Sequence, residues 1–204
     1  MALAKFSEDD FIEAALAIAS EQGPSAATVA SVTGRLKAPI GSFYHRFASR
    51  DVLLGELWLR TVLEFQQGIG TALDAGDGLR AVLHTPAWTR ANLDKARLLL
   101  LHHRDDFIQG DWPEALRDAV AAQSRQIETG MRRFARLVFG RERRAETRRA
   151  QFLLAELPLA LVGQHLRRRE PPPPDIDELI RVTYRAVVQD YRARHGQSRT
   201  GGPQ

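Results

Sequence analysis

Residues 28–47 read TVASVTGRLKAPIGSFYHRF, and the fold turns on how this stretch divides. Thr28 is a good helix N-cap, and Val29, Val32 and Leu36 follow at i, i+3 and i+7, one face of a short helix. Pro39 opens a second helix, because its fixed φ suits a first turn and its missing N–H is not needed there. Phe43 and Phe47, four residues apart, give that helix an apolar face. Each helix has only about two turns, and isolated helices below about 12 residues are marginal in water. Val32, Leu36, Phe43 and Phe47 must therefore pack against a third element, which leaves the opposite faces free.

The preceding segment supplies that element. Ser7 is placed to accept from the backbone N–H of Asp10, acids fill the first turn, and Phe6 and Phe11 occupy the two staple positions. Phe11, Ile12, Ala15, Leu16, Ile18 and Ala19 form the apolar stripe, and Gly23-Pro24 ends it, so the first helix is predicted over Glu8–Gln22. Two short helices joined at a tight corner and braced by a longer one make a helix-turn-helix, which points to DNA. Charge placement agrees. From Gln22 to Arg50 there are four bases (Arg35, Lys37, Arg46 and Arg50) and no acid, whereas the fourteen residues before hold five acids. Overall basicity says less: the net charge is +4, and what counterion release requires is cations where phosphates lie.

Ser49 caps a fourth helix, with Asp51 in its first turn and Leu53, Leu54, Leu57, Trp58, Thr61 and Phe65 along its buried side, running to near Leu73. Helical periodicity continues over Leu79–Asn92 (bent or interrupted at Pro86), Asp94–Phe107, Trp112–Phe139, Arg141–Arg169 and Asp175–Arg194, with Gly110 and Gly140 as stops and a kink at Pro158. No alternating strand pattern occurs, so the expected fold is all-α with about nine helices. Residues 1–50 form the helix-turn-helix domain, 51–195 a larger helical domain, and 196–204 a short polar tail expected to be disordered. Pro171–Pro174 is a stiff spacer between two amphipathic helices. The first carries Phe152, Leu153, Leu157, Leu161 and Val162, and the second Tyr184, Val187, Val188 and Tyr191. Such a pair is either buried within one chain or forms half of a four-helix bundle across a two-fold axis.

With no cysteine in its 204 residues, the chain has no disulfide and no thiolate chemistry, which fits a reducing, cytoplasmic setting. The N-terminal stretch has acids among its apolar residues and is neither a signal peptide nor a membrane span. No Gly-rich phosphate loop or catalytic triad pattern points to an enzyme, and no cofactor is implied. His102, His103, Asp105 and Asp106 lie too close in sequence to converge on one metal, since helical neighbours point about 100° apart. The arginines at 141, 143, 144, 148 and 149 read as a solvated helix surface, with Glu142 and Glu146 between them.

A recognition helix presents short polar and apolar side chains to base edges while hydroxyls, cations and helix N-termini hold phosphates. Pro39 and Ile40 suit a thymine methyl, Gly41 permits close backbone approach, and Ser42, Tyr44 and His45 carry donors.

These residues carry a family resemblance. Phe11 through Gly23, then Thr28, Val29 and Val32, and above all residues 41–47 (GSFYHRF) followed by 49–53 (SRDVL), resemble the DNA-binding domain of the TetR (tetracycline-repressor-like) transcriptional regulators. The resemblance covers the first third of the chain. It implies phosphate contacts from Thr28, Tyr44, His45 and Arg50 and base contacts from Pro39, Ile40 and Ser42, with Lys37, Gly41 and Arg46 completing the surface. The family usually has glycine at the corner that Lys37 occupies here. The resemblance further implies a homodimer built on the last two helices, through Phe152, Leu153, Leu157, Leu161, Tyr184, Val187, Val188 and Tyr191. It implies a double-stranded DNA operator and a small-molecule effector held among the middle helices, for which Phe65, Trp88, Leu99, His102, His103, Phe107, Trp112 and Phe134 are the candidates. Repression released by that effector is the expected function.

Overall fold

A computed structural model describes residues 6–107 and 112–196. Among them there is no strand. The helices are α1 (Glu8–Gln22), α2 (Val29–Leu36), α3 (Ile40–Tyr44), α4 (Arg50–Asp74), α5 (Gly78–Ala91), α6 (Leu93–Leu101), α7 (Glu114–Phe139), α8 (Arg144–Gln151), α9 (Leu157–Arg167) and α10 (Asp175–Gly196). A π turn over Phe152–Glu156 joins α8 to α9, so the described helices number nine rods. The stop assigned to Gly110 and the tail from 197 onward lie outside the described residues.

The chain divides into two compact units, one of Met1–Phe65, Asn92–Ser124 and Leu166–Glu170, the other of Gln66–Ala91, Arg125–His165 and Pro171–Gln204. In the first, α1 begins with a reciprocal cap: the Asp10 N–H donates to the Ser7 hydroxyl at 3.2 Å, and the Ser7 N–H donates to the Asp10 carboxylate at 2.6 Å. Phe11 is fully enclosed and meets Phe43 and Phe47 edge-on at ring distances of 5.8 and 6.2 Å. Such aromatic pairs contribute about 0.5–1.5 kcal/mol each beyond the area they bury. With Val32 also fully buried and Leu36 packed against the same core, α1 holds two helices too short to stand alone. The same core takes in Leu53, Leu54, Leu57 and Trp58 of α4, together with Leu98, Phe107 and Trp112.

The second unit is built around Phe134, Leu153 and Ile180, all fully buried. Arg90 of α5 grips both carboxylate oxygens of Asp177 at 3.0 and 2.8 Å. The Tyr191 hydroxyl donates to Glu146 at 2.8 Å inside the core. Burial disfavours the charged Glu146, but that bond, its own backbone N–H, Arg149 and His195 outweigh it and hold the carboxyl below its ordinary range.

Several helix ends differ from the sequence reading. Helix α6 stops at Leu101, not near Phe107, because His103 and Asp106 cap each other and start a separate 3₁₀ turn over Arg104–Asp106. Pro39 is the N-cap of α3, not its first residue. Helix α5 passes through Pro86 without interruption. Helix α8 starts at Arg144 instead of Arg141, since Gly140, at φ 72°, turns the chain out of α7. The irregularity expected at Pro158 is the π turn just before it, where the Leu157 N–H reaches back five residues to the Phe152 carbonyl. A proline cannot bond the carbonyl four residues before it, and an extra residue in the preceding turn accommodates that loss.

Candidate nucleic-acid interface

The corner between α2 and α3 is made by Lys37 in the left-handed region, φ 54° and ψ 38°. Its N–H closes onto the Gly34 and Thr33 carbonyls, and the Ala38 N–H bonds the Thr33 carbonyl at 2.9 Å. This is the cap glycine favours, taken here by a residue with a Cβ at a cost of about 1–2 kcal/mol. Lys37 is exposed and, among the described residues, has no acidic partner.

Beyond the corner, α3 shows two faces. Phe43 is fully buried, whereas Ile40 and Tyr44, four residues apart on the other side, are 57% and 58% exposed. Large apolar surfaces left open on a five-residue helix, flanked by an exposed lysine and an exposed His45, suit a partner with methyl groups and phosphates. Pro39 and Gly41 are exposed on the same approach. Ser42 is half-buried and its hydroxyl donates to the Pro39 carbonyl at 2.6 Å, leaving its lone pairs to accept. That orientation suits a base amino group better than a phosphate oxygen. Thr28 caps α2 by accepting from the Ser31 N–H at 3.1 Å, so its hydroxyl is oriented beside the open N–H groups of the first turn.

Two arginines assigned to this surface have internal duties. Arg46 donates to the Ser42 carbonyl at 2.8 Å and to the Phe6 carbonyl, with its guanidinium over the Phe11 ring. Arg50 donates through Nε to the Ala27 carbonyl at 2.9 Å and through Nη2 to the Pro24 carbonyl at 2.8 Å, with Asp51 beside it. Its place in the first turn of α4 was the readable sign, because a cation there opposes the helix dipole and needs other partners. Arg97, missed in the sequence, bonds the Ser20 carbonyl at 3.1 and 3.0 Å and so ties α6 to the end of α1. Nothing in the local sequence marks it.

The residues assigned to a small-molecule pocket are not brought together in one unit. Phe65, Leu99, His102, His103, Phe107 and Trp112 belong to the first, Trp88 and Phe134 to the second. Phe107 and Phe134 are enclosed core residues, and His103 is exposed. His102 meets Phe107 edge-on at 6.2 Å, and burial holds its pKa below the ordinary value. Among the described residues no three His, Asp or Glu side chains converge as a metal site would need.

Of the residues assigned to a dimer, Leu153, Val188 and Tyr191 turn into the chain's own core and offer no surface. Phe152, Leu157, Leu161, Tyr184 and Val187 are half-buried, and Leu159, Leu179 and Val182 stand exposed beside them. An open groove of about 480 Å³ runs between α8 and α10, lined by Arg148, Arg149, Phe152, Ala186, Val187 and Asp190.

The fold and this surface define an all-helical protein with an N-terminal helix-turn-helix. Residues 11–57 match the model of the tetR family of bacterial regulatory proteins. Two solved structures share the wider fold. One, a transcriptional regulator from Rhodococcus sp. Rha1, is 19% identical with a TM-score of 0.66, covering 91% of this chain and 97% of that one. The other, a candidate tetR family transcription regulator from Shewanella sp. PV-4, is 18% identical with a TM-score of 0.50, covering 93% and 94%. At these identities the likeness is one of fold. No curated protein matches the chain. Among the described residues, no helix is long and apolar enough to cross a membrane.

Proposed function

We propose that the protein is a homodimeric repressor that leaves its operator when a small molecule binds outside the helix-turn-helix. The observation that carries the DNA-binding half is the split face of α3, with Phe43 enclosed while Ile40 and Tyr44 stand open. In this reading Ile40 and Pro39 meet base methyls, Gly41 allows close approach, and Ser42 accepts from a base amino group. Tyr44, His45 and Lys37 hold phosphates, as does the first turn of α2 beside Thr28. Arg46 and Arg50 keep the platform rigid, and Arg50 has N–H groups left to reach a phosphate.

The dimer is supported by the apolar residues left open on the second unit. Phe152, Leu157, Leu161, Leu179, Val182 and Val187 make a face that a second copy of α8–α10 would cover. Two recognition helices held by such a dimer reach successive major grooves about 34 Å apart only at one spacing. Release follows when an effector shifts α4, because Arg50 fastens the start of α4 to the linker ahead of α2.

Fluorescence anisotropy with labelled DNA from the region upstream of the gene tests this reading. The wild type should bind with a steep salt dependence, and Tyr44→Ala and His45→Ala should weaken binding without changing the sedimentation coefficient. Equal binding by both variants would remove α3 from the interface.

A further inference from the structure

The last turn of α1 leaves carbonyls that its own helix cannot meet. The Ala19 carbonyl accepts from the Gly23 N–H at 2.9 Å. The Ser20 carbonyl would need the N–H four residues on, and that residue is Pro24, which has none. Arg97 of α6 takes its place, donating to the Ser20 carbonyl through Nε at 3.1 Å and Nη2 at 3.0 Å. The next carbonyl, of Glu21, accepts from the Arg169 guanidinium.

The same two arginines close the end of α9, which stops at Arg167. Nη1 of Arg97 donates to the Leu166 carbonyl, and the Arg169 backbone N–H bonds that carbonyl at 3.1 Å. Leu166 is fully buried, and it lies with Ser20, Glu21, Arg97 and Arg169 in the first unit. Arg169 takes up this position in the left-handed region, at φ 60°, where a helix cap is ordinarily glycine. Each helix carries about half a negative charge at its carboxyl end, so two such ends repel when brought together. One guanidinium shared between them offsets that repulsion. The cations are themselves crowded: burial, and after it the Arg169 charge, lower the Arg97 pKa against the pull of Asp94.

We propose that Arg97, assisted by Arg169, is a positioning residue for operator binding: it holds the carboxyl ends of α1 and α9 on one guanidinium and so fixes how the helix-turn-helix is presented, without touching DNA. Helix α1 braces the helix-turn-helix through Phe11, which meets Phe43 and Phe47. Helix α9 carries Leu157 and Leu161 of the face assigned to the dimer. What Arg97 joins is therefore the helix that orients the DNA contact and a helix that orients the second copy. Such a clamp adds nothing to the grip of one recognition helix but restricts the spacing of two. The inference rests on the reading that the protein binds its operator as a dimer.

The test uses the full chain and the upstream DNA segment it protects in footprinting. A second DNA has one base pair inserted at the centre of that segment, which turns one half-site by about a tenth of a turn. Wild type should prefer the uninterrupted segment by at least about tenfold, and Arg97→Met, which loses all three bonds, should cut that preference at least about fivefold. Sedimentation should still show a dimer, and the slope of log affinity against log salt should stay at the wild-type value. Loss of folded protein alone would weaken both DNAs equally and leave the preference intact. Arg169→Gly carries the test even where Arg97→Met folds poorly, because relief of the left-handed strain offsets the lost bond. It should keep the wild-type melting midpoint and cut the preference about twofold. A wild-type dimer that binds, with the preference kept in both variants, overturns the clamp and leaves the dimeric reading standing. A lower salt slope in Arg97→Met overturns it as well, since Arg97 would then be a phosphate contact. A wild type that binds as a monomer, or binds no upstream DNA, overturns the dimeric operator reading and the clamp with it.

Discussion

The guanidinium of Arg50 donates to the carbonyl of Pro24 at 2.8 Å, across twenty-six residues of sequence. A second bond, to the Ala27 carbonyl at 2.9 Å, makes the start of α4 and the linker between α1 and α2 one piece. The residue is thus first a clamp, and any role at DNA depends on that clamp. Replacing it with methionine keeps the stem and removes both bonds. Hydrogen bonds from a charged donor are worth about 1.5–3 kcal/mol, so Arg50→Met should lose stability of that order in urea unfolding. Arg50→Lys should recover less than half of the loss, because an ammonium lacks the fork that spans two carbonyls.

Lys37 couples backbone strain to charge, and two substitutions separate them. Lys37→Gly relieves the left-handed penalty and should raise stability by about 0.5–1 kcal/mol after glycine's own entropic cost. Lys37→Ala keeps the strain and should leave stability near wild type. Both variants should weaken operator binding alike and reduce the slope of log affinity against log salt by about one phosphate contact. Unchanged slopes would take Lys37 off the DNA.

The exposed apolar face of α8–α10 is the proposed dimer contact, so a charge at its groove should break the dimer. Val187 lines that groove and is only half-buried in the single chain. Val187→Asp should give monomers in sedimentation velocity, with weak operator binding and an intact helical spectrum. A dimer that persists places the interface elsewhere.

The cap of α1 makes stability depend on acid. Bonds from the Ser7 N–H and hydroxyl hold the Asp10 carboxyl below its ordinary pKa of 3.8, with the Arg46 charge adding to them. A group whose pKa is depressed by folding contributes fully above its unfolded value, and the contribution is lost as pH falls through the folded one. Wild type should therefore lose stability relative to Asp10→Asn as pH is lowered below about 4, and the two unfolding curves should run parallel above it. Parallel curves throughout would mean the cap carries no charge-dependent stability.

What could be read in advance was local. Ser7 with Asp10 and Thr28 before Val29 announce caps within three residues, and Phe43 and Phe47 announce the face that meets α1. The exposed surface of α3 was legible for the same reason, as the remainder once the apolar face is assigned. The Phe6 carbonyl that Arg46 reaches and the Ala27 and Pro24 carbonyls that Arg50 reaches were not, because they lie forty and twenty-three or more residues away. Helix α6 looked longer than it is because the pair His103 and Asp106 preserves helical spacing while starting a new turn. The middle helices gave the poorest reading. Periodicity marks Phe107 and Phe134 as apolar but cannot say that they fill two different cores, nor that Trp112 and Gln123 are buried with their donors unmet.

Amide hydrogen exchange with and without upstream DNA tests the central claim most directly. The account predicts that DNA slows exchange in the segment from Pro39 to Phe47 and at the first turn of α2, with the effect in the 39–47 segment reduced in Tyr44→Ala. DNA bound tightly while that segment exchanges as fast as in the free protein would contradict it.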